Sequence, residues 1–423
     1  MVTTIEIDEA PLGDDSGFMI LESRGGAAPR AALPPDSAPC AECLREIGDE
    51  TDRRRRYPFT NCTRCGPRFT ITTALPYDRE RTTMRAFSLC EECAREYRTP
   101  ADRRFHAEPI ACPRCGPQLE ALSPRGEVLA TGENALREAV SALIHGKICA
   151  LKGVGGYQLI VDATSAEAVR RLRERKRRPD KPFAVMFPSL ASLRVCCDVS
   201  AAEEDALTAP SAPILLVRRR PSDVSAEVAP AMHWIGAMLP SSPLHHLLLG
   251  DAARPLVCTS GNLSNEPLCI DDHEAVERLG AIADIVLAHD RAIVRPVDDT
   301  VARIGPTGLE ILRRARGFCP LAIVRRESAP TILALGGHLK STVALFAGTE
   351  VILSQHLGDL SSPLAVALHE RTAGELPLSC RARRARGRYR AARGHCDGGA
   401  RRGLLPEPGA GDEDPRGPRG AGV

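Results

Sequence analysis

The chain has 423 residues, 43% apolar and 4% aromatic, enough for two or three domains with a substantial core. Its 56 Lys and Arg nearly balance 54 Asp and Glu, at a formal charge of +2, so no whole-protein field singles out nucleic acid as a partner. No apolar run reaches the length of a membrane span, and "MVTTIEIDEAPLGDD" has neither the basic nor the apolar segment of a secretion signal, so a cytoplasmic setting without a membrane partner is expected.

In a reducing compartment, sixteen cysteines that include four CxxC pairs read as metal ligands rather than disulfides. The pattern C-x2-C-x18-C-x2-C occurs at Cys40, Cys43, Cys62 and Cys65, and again at Cys90, Cys93, Cys112 and Cys115, with Asp52-Arg53-Arg54 recurring as Asp102-Arg103-Arg104. Such a repeat is one small unit used twice. Zinc takes four thiolates tetrahedrally, so each repeat predicts one closed, structural Zn2+ site, two in all. Sequential pairing within each repeat is the expectation, and pairing across repeats is the alternative. Metal binding would supply the folding free energy of this segment, whose core is expected to be separate from that of the domain beyond it. The run Arg53 to Arg56 reads either as a nucleic-acid contact or as a basic strand packed on acidic neighbours.

From Glu133, "ENALREAVSALIHG" places Leu136, Ala139, Val140, Leu143 and Ile144 on one helical stripe ending at Gly146. The strand "KICALKG" follows, then Thr164 and Glu167 as a capping box before "AEAVRRLRERKRR", a helix expected to be exposed on most of its surface. Further strands are predicted at "PFAVMF", "APILLVRR", "PLVCTS", "DIVLAHD" and "TVARI". Strands alternating with helices predict an α/β domain with a twisted mixed sheet.

Three stretches of this domain could carry chemistry. In "LKGVGGYQLIVDAT", Lys152 ends a strand at a glycine turn and is expected to reach an open anionic site, although a plain tight turn gives the same pattern. In "RERKRRPDKPFAVM", Lys176, Arg177, Arg178 and Lys181 gather where a helix ends, where they could carry chemistry or act as ordinary partners of the helix dipole. In "CTSGNLSNEP", Ser260, Asn262 and Ser264 could hold phosphate or ribose, or simply form an Asx-type turn. Asp298 and Asp299 in "RPVDDTV" read as Mg2+ or ribose contacts or as turn residues.

The order of these stretches, closing on "LRRARGF", resembles the YrdC-like nucleotide-binding fold. Together with the doubled cysteine pattern, "YPFTNCTRCGPRFT", "DRRFHAEPIACPRCGP", "MLPSSPLHHLLL" and "SQHLGDL", residues 1 to about 372 resemble the HypF family, the carbamoyltransferases of [NiFe]-hydrogenase maturation. The resemblance implies a remnant of an acylphosphatase-like domain and linker (1–30), tandem four-cysteine zinc fingers (40–116), a YrdC-like domain (131–325) and the start of an actin-like, Kae1-type domain (330–372). It implies that carbamate from carbamoyl phosphate is adenylated by ATP, with Mg2+, to carbamoyl-AMP for transfer to the C-terminal cysteine of HypE. By the same resemblance Lys152, Lys176, Arg178 and Lys181 would clamp phosphates or carbamate, Ser260, Asn262 and Ser264 would hold the nucleotide, and Arg314 or Arg316 would close over it. Residues 373–423, with 11 arginines and 10 glycines from Arg381 onward, read as a disordered, unrelated tail. The chain therefore reads as a truncated or frameshifted member in which the full reaction is expected to fail. The rival readings are a threonylcarbamoyl-AMP synthase of tRNA modification and a non-catalytic zinc-bridged module that docks RNA or protein.

Overall fold

The computed structural model describes residues 33–379. The expected remnant of an acylphosphatase-like domain and linker (1–30) and the arginine-rich stretch from Arg381 lie outside the described residues. In each cysteine repeat the first ligand caps a short amphipathic helix, α1 (Ala41–Gly48) after Cys40 and α2 (Glu91–Arg98) after Cys90. The second ligand, Cys43 or Cys93, is buried on that helix, and a turn carries the closing CxxC back to it.

The larger domain is one mixed sheet flanked by helices. In chain order it comprises β1 (Leu119–Leu122), β2 (Val128–Thr131), α3 (Gly132–Ile144), β3 (Cys149–Lys152), β4 (Tyr157–Asp162), α4 (Ala166–Lys176) and β5 (Ala184–Met186). There follow α5 (Leu190–Cys196), β6 (Cys197–Asp198), α6 (Ala201–Thr208), β7 (Ile214–Arg219), β8 (Trp234–Met238), α7 (Pro243–Ala252) and β9 (Leu256–Ser260). The domain closes with α8 (Asp272–Leu279), β10 (Ile285–His289), β11 (Val301–Gly305) and β12 (Gly308–Arg313). The strand order is β12-β11-β7-β8-β5-β9-β4-β3-β10-β1-β2, with β6 on β7. The pairs β3/β10, β5/β8 and β7/β11 are parallel and the others antiparallel, so the expected α/β architecture with a mixed sheet is present.

Central strands β3 and β10 are buried at every position because both faces of the sheet are covered. Ala168, Val169 and Leu172 of α4, with Ala275 and Leu279 of α8, fill one face. Leu136 and Leu143 of α3 and Leu247 and Leu248 of α7 fill the other. On that second face Ile47, Tyr57, Phe59, Ile71, Met84 and Ala111 of the cysteine module join the same cluster. The expectation of separate cores is therefore corrected, since the module is part of the wall that keeps the sheet dry.

Other boundaries also move. The β1/β2 hairpin extends the sheet beyond β10, so the sheet begins at Leu119, ahead of the expected 131. Ile144 is 42% exposed, because α3 is at its last turn and has already passed the sheet. Ser165, not Thr164, caps α4 by accepting from Ala168 N, and α4 buries Arg173 and Lys176 as well as its apolar stripe. Beyond the sheet, the antiparallel hairpin of β13 (Ala322–Ala334) and β14 (Ala344–Leu353) packs with α9 (Pro363–Ser379) around Val343, Leu345, Leu357, Leu368 and Leu376. The expected boundary at 372 thus falls inside a helix.

Candidate metal centres and a cationic cavity

Each repeat gathers its own four cysteines. The sulfurs of Cys40, Cys43, Cys62 and Cys65 lie within 4.8 Å of one another, as do those of Cys90, Cys93, Cys112 and Cys115. Neighbouring Sγ–Sγ distances are 3.5–3.8 Å in the first set and 3.7 Å in the second. A tetrahedron with Zn–S bonds of about 2.3 Å requires sulfurs about 3.8 Å apart, so both sets fit zinc without rearrangement. Pairing within each repeat, not across, is what the chain adopts. Four thiols per set leave no open coordination position, which suits a structural metal.

The repeated Asp-Arg-Arg explains itself at this point, because each copy serves the other repeat's cluster. Arg53 Nη2 donates to Cys93 Sγ at 3.3 Å, and Arg103 Nη2 donates to Cys43 Sγ at 3.1 Å. Arg54 Nε donates to Ala111 O and its fork grips Glu96, while Arg104 Nε donates to Asn61 O and its fork grips Glu46. Asp52 and Asp102 hold these turns by accepting from Arg54 N and Arg104 N at 2.7 and 2.8 Å. Burial pushes the Glu96 carboxyl up, but Arg54 and Arg53 outweigh it and hold the group at about 2. Arg55 meets Glu50, and Arg56 meets Glu133 and Asp251. The run Arg53 to Arg56 is thus paired within the chain and is not a free surface for nucleic acid.

The second site is a cavity of about 550 Å³ between the sheet and the β13/β14 unit, within the size range of small-molecule sites. Its floor comes from β4 and β9, and Gly261 closes the turn after β9 because a Cβ there would lie 2.6 Å from the Tyr157 backbone. Lys176, at the end of α4, donates to Ser260 O, Asn262 O and Asn262 Oδ1 at 2.6, 2.8 and 3.0 Å. Ser260 Oγ also donates to Asn262 Oδ1, and Asn262 Nδ2 to Glu266 O. Burial first, and then Arg178, push Lys176 down to about 7. Lys176 therefore braces the turn beside the cavity and is not among the residues that line it.

The cavity is lined by Arg178, Lys181, Ser260, Asn262, Arg314 and Arg316, six of the nine expected cavity residues. Arg178 donates to Pro182 O at 2.6 Å and lies over Phe183, and among the described residues neither it nor Lys181 has a carboxylate partner. Burial lowers both, with Arg313 as a further cause for each. Cations so placed are poised to accept an anion. Arg316 is buried against Asp299, Ser211 O and Ala212 O, so it anchors the floor and is not a lid. Ser264 is exposed and outside the cavity.

Lys152 is also outside it. Its Nζ, almost fully buried, meets Asp272 Oδ1 at 2.6 Å and His289 O at 2.8 Å, and Tyr157 OH donates to the same Asp272 oxygen. The expectation of an open anionic site there is corrected: a lysine in so dry a place is stable only with a carboxylate beside it. Lys152→Ala should lower stability by about 1–3 kcal/mol, the value for a buried pair discounted because Asp272 is partly exposed. Thermal unfolding of the variant beside the parent checks it.

Sequence reasoning missed the polar line along the floor. His245, fully buried, accepts from Ser242 Oγ through Nδ1 at 2.9 Å and donates through Nε2 to Gln158 Oε1 at 2.9 Å. Gln158 Nε2 donates to Asp299 Oδ2, whose other oxygen accepts from Arg316. Burial pushes His245 down to about 4, so it works as a neutral imidazole. Gln158 was legible as the one polar side chain inside the apolar run "YQLIV". Asp298 and Asp299 join no group of three metal-ligating side chains among the described residues, and Asp299 is occupied as a link in this line.

A YrdC-type sheet carrying two closed cysteine centres and an anion-seeking cavity defines the class of protein. Residues 141–315 match the Sua5/YciO/YrdC family described as Telomere recombination, residues 40–72 and 89–122 the HypF finger, and residues 327–385 the HypF Kae1-like domain. The chain is 49% identical over 364 residues to Carbamoyltransferase HypF of Synechocystis sp., covering 86% of this chain and 47% of that one. It is 48% identical over 370 residues to Carbamoyltransferase HypF2 of Cupriavidus necator, covering 82% and 46%. A crystal structure of full-length HypF in the phosphate- and nucleotide-bound form superposes with a TM-score of 0.79 at 41% identity, covering 82% of this chain and 46% of that one. The chain belongs to the HypF family, and it spans about half the length of the curated relatives it matches.

Proposed function

We propose that the chain is an ATP-dependent, carbamoyl adenylate-forming member of this family, acting in hydrogenase maturation in the cytoplasm. The observation that carries the reading is the cavity cation group, Arg178 and Lys181, which among the described residues have no carboxylate at ion-pair distance, beside the Ser260–Asn262 turn. A carbamate oxygen attacks the α-phosphorus of ATP, the bond to the bridging oxygen breaks, and pyrophosphate leaves with its electron pair. Arg178, Lys181 and Arg313 meet the charge that moves onto the phosphates. Mg2+ would ride on the phosphates themselves, since the cavity carboxylates are engaged with protein partners. The carbamate would come from carbamoyl phosphate, and the carbamoyl group would pass to the C-terminal cysteine of HypE. In the same reading each cysteine set holds one structural Zn2+.

Among the described residues no helix is long and apolar enough to cross a membrane. The HypF finger and HypF Kae1-like matches favour this reading over threonylcarbamoyl-AMP synthesis, which shares the sheet domain. Exchange of labelled pyrophosphate into ATP should be stimulated at least about tenfold by carbamate. Stimulation by threonine plus bicarbonate alone would assign the rival chemistry, and exchange with neither would leave a binding module.

A further inference from the structure

A second, much smaller void lies where the cysteine module meets the sheet. It measures about 20 Å³ and is walled by Phe59, Lys152, Ser241, Ser242, His289 and Arg291, among others. Arg291 is 6% exposed, and a guanidinium keeps its proton whatever its surroundings. Yet among the described residues it has no carboxylate at ion-pair distance and its Nε finds no acceptor; the Phe59 ring lies 5.1 Å away, and Asp36 and Asp290 act on it only from beyond contact. Lys152 cannot help, being a cation already matched to Asp272.

Two further features converge on the void. The ten-residue helix α7 begins at its wall, with Ser242 as cap, so the positive end of the helix faces the same space. His289, 2% exposed, has an Nδ1 with no partner, and burial together with Arg291 and Lys152 keeps the ring neutral. A buried cation, a helix head and an unsatisfied imidazole nitrogen around one void are the makings of an anion site.

We propose that this void holds a small monovalent anion of chloride size, bound by Arg291 against His289 and the head of α7. The volume sets the class. Space of about 10–15 Å³ already admits one water-sized species, so about 20 Å³ favours a small monovalent ion and is too small for a nucleotide. A water molecule would fit but would leave the guanidinium compensated only at longer range by Asp36 and Asp290, at a desolvation penalty that a counter-ion in contact reduces. Val154 and Ser241 line both this void and the large cavity. The anion therefore sits directly behind the Gly153–Gly156 turn and fixes it from the rear, independently of the reaction proposed above.

The test uses the full, metal-loaded chain. Chloride should raise the melting temperature over gluconate at constant ionic strength, saturating at a shift of about 5 °C, and Arg291→Met should abolish that dependence. Crystals grown in sodium bromide should show an anomalous peak within hydrogen-bonding reach of the Arg291 guanidinium. Should Arg291→Met fail to fold, the wild-type salt series and the bromide peak decide alone. A site holding only water, with melting indifferent to chloride, overturns the proposal, as does chloride dependence retained in Arg291→Met.

Discussion

Lys181→Ala and Arg178→Gln should each weaken ATP binding about ten- to a hundredfold, the loss of one charge-assisted contact of about 1.5–3 kcal/mol. Lys181 is the cleaner probe because it is exposed at the cavity edge and, among the described residues, its ammonium has no carboxylate at ion-pair distance to leave behind. Like charges crowd here: burial is the main cause that lowers Lys181, and Arg178 and Arg313 add to it. Removing one charge from the empty site should therefore leave the melting temperature unchanged or slightly higher, while the nucleotide complex weakens. Titration calorimetry with ATP, beside thermal unfolding without it, reads both quantities. Unchanged affinity in both variants would mean that the nucleotide sits elsewhere.

Stripping the metal should destabilise the sheet as well as the cysteine module. Tyr57, Phe59, Ile71 and Met84 are buried in the cluster that α3 and α7 complete, and they are expected to leave it once the cysteine sets come apart. At about 1.5–3 kcal/mol for each large side chain, uncovering even two of the four removes on the order of 5 kcal/mol of support. For a sheet domain of this size that corresponds to a fall of about 10–20 °C in its transition. Calorimetry of the zinc-loaded chain before and after chelation measures it. A sheet transition that does not move would restore the picture of two independent cores.

Legibility in the sequence followed the range of the interactions. The cysteine sets could be read because their ligands lie within one short repeat and zinc tolerates few spacings. The strands could be read because burial on both faces writes continuous apolar runs such as "ICALK" and "DIVLAH". Residue chemistry alone could not say where a cation points. Lys152, Lys176 and Arg178 all stand at element ends beside turns, and only the fold separates them: Lys152 is closed off by Asp272, Lys176 is spent on three oxygens of the 260–262 turn, and Arg178 is left facing the cavity. The shared core escaped for a related reason. Ile47 and Tyr57 belong to a loop-rich segment, and no periodicity shows that their apolar side chains meet α3 and α7, both far along the chain.

The exchange of Asp-Arg-Arg arms between the repeats has a consequence for the order in which the molecule can be completed. Arg103 and Arg104, which brace Cys43 and Glu46, lie 60 and 58 residues further along the chain than those partners. As the polypeptide is made from its N-terminus, the first cluster stands for a time with its thiolates gathered but their negative charge unmatched from outside. It is sealed only when the second copy has emerged and turned back on it, and the second is sealed by an arm already waiting. Neither half is a finished object alone, and firm metal retention by the first becomes a sign that the second has been built.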